Sequence, residues 1–547
     1  MRPRRVLLIL GLVLLLVACD PDGPDVPLGP TVAPGVTSVE QSGGSFRYGI
    51  GPPRAITPTL AQSGDDLAVV DALFDSLTAW DARGRAVPSA ASSWEVSDDA
   101  TEWTFTLRPG STFSDGAPVT AEAFRTAWST LSAGGPFGYL LADVIGHGAV
   151  ARGEVPVLSG VRIDDEFTLT VLLRRPRSDL AAVVGHPALG PTNLTQRAAD
   201  PVSWVQQPAG NGPFAVTEPY TDADFIRASA VDTWANGLRV AGSPTEVVFR
   251  IGDLDINYLA FTQGRRDLTA VPPEALAVAA EDFPSRGGAW SGPGLIVGGR
   301  PESYVLGVNT QTPPYDQVDV RQAISLALDR EALADSLQNG NLAPATSLLP
   351  PALPGTQIDQ CDRCTLDIPA ARRLLQEAGV QQLGFAFNAG GGHEAVRDEL
   401  RGGLSRAGVA LVSNGRGPAP PLPEYQDQLL AGTVGIFRFP LVADVPSSLS
   451  VLFPLLHSTQ VPERGGMNYM RYTNATVDSL LEQAARTLDD ESRESLLDRV
   501  VDRAVNVDQV VMPVFSTQHS MVASAEIRGL RYDPHGLVNL TELVIQR

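Results

Sequence analysis

Side chains able to do chemistry are few and widely spaced in this 547-residue chain. Its six histidines, His147, His186, His393, His457, His519 and His535, show no metal-ligand spacing. Each is expected at the surface or satisfied by hydrogen bonds. No Walker loop, GxSxG elbow, HExxH or EF-hand pattern occurs. Gly210-Asn211-Gly212 runs straight into Pro213, so it cannot open a dinucleotide-binding helix. The acidic pairs Asp65-Asp66, Asp98-Asp99 and Asp164-Asp165 read as solvated turns, because adjacent side chains point apart. Cys361-Asp362-Arg363-Cys364 has a spacing that zinc or redox sites use, but zinc needs four ligands and no second pair exists. A redox pair sits at a helix start beside a strand, whereas this one lies in a loop with Pro350, Pro351 and Pro354. The chain is therefore read as no enzyme, with no catalytic residue, metal or cofactor.

Composition narrows the class further. Asp plus Glu number 62 against 41 basic residues, a net charge of -21, and there is no lysine at all. Such acidity argues against nucleic acid as a partner, since phosphate backbones need a basic footprint. Apolar residues at 43% and charged residues at 19% describe a globular body. At roughly 100 to 200 residues per domain, the length suggests about three folding units. Without lysine, any cation in a binding site must come from arginine, histidine or the ligand.

The elements that would position a site begin after residue 44. Arg2, Arg4 and Arg5 precede an apolar run over residues 6–17, too short for a span of about 20 residues. Leu16-Val17-Ala18-Cys19 resembles the lipobox of bacterial lipoproteins. That resemblance makes residues 1–18 a lipoprotein signal peptide and Cys19 the lipid anchor at the extracytoplasmic face of the cell membrane. Residues 19–44, rich in Pro, Gly, Asp, Val and Thr, read as a flexible tether. Outside the cytoplasm close cysteines oxidise, so Cys361 and Cys364 are expected to form a small disulfide. The body reads as mixed α and β. Strands are expected over residues 45–50, 103–107 and 510–515, with a hairpin over 161–173. Helical stripes mark residues 67–77, 320–328, 368–378, 477–485 and 496–504, and another helix should start after Thr120.

Read in order, these segments resemble the extracytoplasmic solute-binding proteins of peptide-type ABC importers, the oligopeptide, dipeptide and nickel-binding family. The resemblance rests on Pro88 to Trp94 with Ser97-Asp98-Asp99, and on a long run from Trp103 through Phe113-Ser114-Asp115-Gly116 to Phe124. Gly210 to Phe214, Tyr304 to Asn309, Asp319 to Arg330 and Ala370 to Gly379 continue it. It covers roughly residues 45–547. It implies an α/β, two-lobe periplasmic-binding-protein-like fold with an extra subdomain in the first lobe. Lobe I would be 45–305 plus 513–547, with the subdomain at about 80–200, and lobe II would be 306–512. A small solute, most simply a short peptide, would bind between the lobes, and ABC permease subunits would read their closure. A monomer is expected.

The resemblance also implies site residues. In oligopeptide binders of this family an aspartate meets the peptide ammonium, and an arginine six residues earlier can meet its carboxylate. Here these are Asp444 and Arg438, within Arg438-Phe439-Pro440-Leu441-Val442-Ala443-Asp444-Val445-Pro446. Leu441 stands where the family has a tryptophan, Pro440 where it has glycine and Val445 where it has tyrosine. Arg54, after the first strand, and Asn309, near the first lobe crossing, complete the expected ligand contacts. Competing readings are a transport-derived receptor used for signalling or envelope interaction, and a secreted hydrolase.

Overall fold

The computed structural model describes residues 43–547 apart from 222–223, 235, 287–290, 338–340, 414–417 and the side chain of Ser413. The signal peptide, Cys19 and nearly all of the tether lie outside the described residues. No helix among the described residues is long and apolar enough to cross a membrane.

An eleven-stranded sheet organises the body, and two unusually long strands run through its middle. Gly294–Val308 and Val511–Ala523 pair antiparallel, with register shifts between Gly299 and Ser303 and between Tyr304 and Val305. Beyond one end of this pair lie Leu268–Ala270, Ser45–Ile50, Glu246–Ile251, Phe225–Ala230 and Phe214–Val216. Beyond the other lie Ile436–Val442, Gln382–Ala386 and Ala410–Ser413. The core changes along the long strands. Ile296, Met521 and Ala523 pack with Phe46, Tyr48 and Phe249, whereas Leu306, Met512 and Phe515 pack with Ile324, Phe385 and Leu400. Two bodies are thus joined by two strands that belong to both, the two-lobe arrangement expected from the sequence.

A third core sits in the first half of the chain. Ala91–Val96, Glu102–Leu107, Thr168–Leu172 and Val161–Asp165 form a four-stranded antiparallel sheet. Helix Ala121–Ser132 buries Phe124, Ala127, Trp128 and Leu131, the i, i+3, i+4, i+7 face of an amphipathic helix. The expected helix over 368–378 forms as Ile368–Glu377, with Pro369 in its first turn, Asp367 accepting from Ala370 N–H and Gly379 at φ +68° beyond its end. The Gly210–Gly212 segment fulfils a close approach: a Cβ on Gly210 would overlap the Leu73 carbonyl. Cys361 and Cys364 are bonded to each other.

One reading of the acidic pairs needs correction. Asp66 is fully buried rather than in a solvated turn, and its carboxylate accepts from the backbone N–H groups of Arg54, Gln62 and Ser63. With Ser63 it makes a capping box at the start of helix Gly64–Leu73. The pattern S-x-x-D was legible there.

Candidate functional site

The strand Ile436–Val442 sets the site by its pleat. Successive side chains alternate faces, so Phe437, Phe439 and Leu441 enter the second lobe's core, followed by Ala443. Arg438, Pro440 and Val442 take the opposite face, and Pro440 and Val442 are exposed. Leu441, 3% exposed, is therefore core packing and does not line the cavity beside Asp444. The family's tryptophan position has become a structural one in this chain.

Asp444 follows the strand and lines a cavity of about 360 Å³ with Trp80, Arg300, His519, Tyr532 and His535. Tyr139 Oη donates to its Oδ2. Burial raises the carboxyl above its ordinary range, and the Tyr139 hydrogen bond only partly offsets this. No ion pair reaches Asp444 among the described residues, so Arg438 does not neutralise it. Arg300 Nε instead donates to His519 Nδ1 at 3.1 Å, while Tyr532 Oη lies 2.9 Å from His519 Nε2.

Arg438 builds a second pole on the same strand face. Its Nη2 donates to Asn388 Oδ1, and its guanidinium lies 5.7 Å from the Tyr425 ring. Three buried polar atoms beside it have no hydrogen-bond partner: Arg438 Nε, Tyr304 Oη and His393 Nδ1. Tyr304 pairs with Pro440 across the sheet, and its ring lies 5.6 Å from that of His393. Burial, then the Arg438 charge, lowers His393 to about 4, so its ring is neutral near pH 7. Buried polar groups are normally satisfied; this cluster lacks an acceptor that an anionic group would supply.

The remaining predicted contacts fall elsewhere. Arg54 is exposed and only its backbone N–H is engaged, by Asp66. Asn309 is 2% exposed, donates to the Gly432 carbonyl and accepts from Gln311 N–H, so it braces a turn. Neither lines the Asp444 cavity. The histidine reading is corrected in part: His393, His457 and His535 each have one nitrogen without a hydrogen-bond partner among the described residues. Sequence spacing could not flag Tyr139, which reaches Asp444 from 305 residues away. For His393 a local signal existed, three glycines at positive φ immediately before it.

Residues 85–463 match the family described as bacterial extracellular solute-binding proteins, family 5 Middle. The chain belongs to this family. Among curated relatives of this family 5 protein, the periplasmic oligopeptide-binding protein OppA of Escherichia coli K12 is 23% identical over 515 residues, covering 90% of this chain and 89% of OppA. The probable deoxycholate-binding periplasmic protein YgiS of the same organism is 28% identical over 384 residues, 68% of each chain. The solved murein tripeptide-binding protein MppA, in its unliganded open form, superposes with a TM-score of 0.79 at 20% identity, covering 93% of this chain and 98% of that one. This likeness fixes the fold as that of the periplasmic binding proteins.

Proposed function

We propose that this family 5 protein is the substrate receptor of an ABC importer, and that it captures a short peptide between its lobes. The observation carrying this reading is the pair of opposite poles on one strand face. Asp444 is a half-buried carboxylate with no ion pair among the described residues, and Arg438 sits beside partnerless Tyr304 and His393 atoms. A zwitterionic ligand answers both demands, an ammonium at Asp444 and a carboxylate at Arg438. Six residues of extended strand separate the poles, at most about 20 Å. That span suits an extended peptide of roughly three to five residues. OppA and MppA carry names that describe oligopeptide and murein peptide binding, which supports the same class.

In this reading the lobes close by bending across Gly294–Val308 and Val511–Ala523, whose register shifts and switch of core suit a hinge. The sequence-based lobe borders, 305/306 and 512/513, both fall within these strands. Lipid at Cys19 and the 19–44 tether hold the monomeric receptor at the extracytoplasmic membrane face, where permease subunits take the ligand from the closed form.

Calorimetry with a tripeptide library tests the poles. Removing a hydrogen bond to a charged group costs about 1.5–3 kcal/mol, so Asp444→Asn should weaken binding roughly 10- to 150-fold. Arg438→Gln should act similarly on free peptides and have no effect on carboxyl-amidated ones. Unchanged affinity in both variants would sink the assignment.

A further inference from the structure

A larger cavity, of about 840 Å³, lies beside the Asp444 cavity and shares Trp80, Tyr532 and His535 with it. Its size is in the range that holds a substantial part of a small organic ligand. One wall comes from residues 71–81 and 531–542, the other from residues 351–356 and Pro446. Through the residues it shares, it continues the Asp444 cavity.

Its polar lining is unbalanced. Asp71, Asp75 and Asp533 all face this space. Trp234 and Asn236 donate to Asp75, and the Leu537 N–H donates to Asp533. Among the described residues Asp71 has neither a hydrogen bond nor an ion pair, and burial together with the nearby Asp533 and Asp75 charges pushes it up to about 8. Burial likewise raises Asp75 and Asp533 to about 6.

One further group lacks a partner independently of the carboxylates. His535 Nε2 is fully buried and unpaired, and burial holds that ring neutral, at about 4. Ser89, only 6% exposed, lines the same space. Among the described residues near this space, Arg108, whose charge acts on Asp75, is engaged and donates to the Ser89 carbonyl. Arg531 is half exposed and paired with Glu542, Arg83 is exposed, and lysine is absent. One wall is aromatic and fixed: Trp80 Nε1 donates to the Ala182 carbonyl, and the ring lies 4.7 Å from that of His535.

We propose that this cavity is a subsite for a cationic group of the ligand, a guanidinium or primary ammonium on a side chain. Asp71 and Asp533 are its counter-charges, Ser89 and His535 accept from its N–H groups, and Trp80 is its aromatic wall. The inference rests on the peptide-receptor reading above and adds a preference for basic peptides.

Calorimetry on the full chain tests it, with tripeptides carrying arginine at each position in an alanine background and citrulline counterparts of equal shape. Agmatine alone is the peptide-free probe. The best arginine peptide should bind at least about tenfold more tightly than its citrulline partner, since only the former carries the charge that Trp80 and the carboxylates favour. Asp71→Asn and Asp533→Asn should reduce that preference to below about threefold while citrulline peptides keep their affinity. Equal binding of the arginine and citrulline peptides, or a preference that survives both substitutions, overturns the subsite and leaves the peptide receptor standing. Agmatine stabilising the parent but not Asp71→Asn, with no peptide bound, upholds the subsite and overturns the peptide reading. No binding of any probe overturns both.

Discussion

Among the contacts that tie the segment around Asp179 to residues 447–450 and 484–485, one buried carboxylate has a calculable removal cost. Asp179, 4% exposed, accepts from Arg177 Nε at 3.0 Å, Ser447 Oγ at 2.7 Å and Ser450 Oγ at 2.5 Å. Burial alone would raise its pKa, but Arg177 and the two hydroxyls outweigh that and hold it well below the carboxylate range. Asp179→Asn leaves Arg177, itself 8% exposed, with Asp143 at 3.4 Å as its remaining carboxylate. Breaking a buried pair from one side costs about 3–5 kcal/mol, and the residual Asp143 contact places this variant near 3. Unfolding entropy of about 2.1 cal/mol/K per residue converts this to roughly 3 °C if some 500 residues unfold together. If the subdomain of about 120 residues unfolds alone, the shift is about 12 °C. Differential scanning calorimetry distinguishes the two. The pH dependence follows from the sign of the shift. A depressed folded pKa contributes stability above the unfolded value of about 3.9 that is lost as pH falls through the folded value. Parent and variant should therefore differ fully at pH 7, and the difference should begin to shrink only below about pH 4. An Asp179→Asn protein as stable as the parent at pH 7 would refute the reasoning.

Two further outcomes follow. Burial lowers His186 to about 3, so the unfolded chain binds a proton there below about pH 6.5 that the folded one does not. Stability should fall with acidification between about pH 6.5 and 4, and His186→Gln should reduce that slope by about 1.4 kcal/mol per pH unit; an unaltered slope in urea titrations at stepped pH would exclude it. At Gly210, an added methyl meets the Leu73 carbonyl, a backbone obstacle that cannot rotate away. Gly210→Ala should cost about 1–3 kcal/mol, read as a lower thermal midpoint, and an unshifted midpoint would mean the loop relaxes freely.

Much of the fold was legible because local rules and tertiary packing agree. The helix at 368–378 carried its own stop and start signals, and the 161–173 hairpin formed, although Asp164 and Asp165 end its first strand and Glu166-Phe167 make the turn. The expected strand at 510–515 was underestimated: it runs to Ala523 as a crossing strand. Its second half, Thr517, Gln518, His519 and Ser520, is polar because it passes the cleft, so hydrophobicity could not extend it. At the site, Arg438 and Asp444 were proposed from the family resemblance, and their neighbours were not legible. Tyr139, Trp80 and Tyr304 arrive from distant segments, and only the fold brings them together. Leu441 was misplaced because a resemblance transfers positions without the pleat that orients them.

The absence of lysine becomes a constraint once each arginine near the cleft has been placed. Arg300 is turned to His519, Arg531 to Glu542, and Arg177 and Arg175 to Asp143 and Asp179. Arg438 is the cation at the opposite pole, and its partner is a neutral amide. Among the described residues, Asp444 and Asp71 are thus left half-buried with no ion pair, and ionising them carries a cost while the cleft is empty. A ligand bearing positive charge removes that cost on binding, and a neutral one does not. The free energy released is the difference between an unpaired and a paired carboxylate, a term that adds affinity for cationic ligands without any new apolar contact. The same charge distribution disfavours a solute that is only anionic, even with Arg438 available to it.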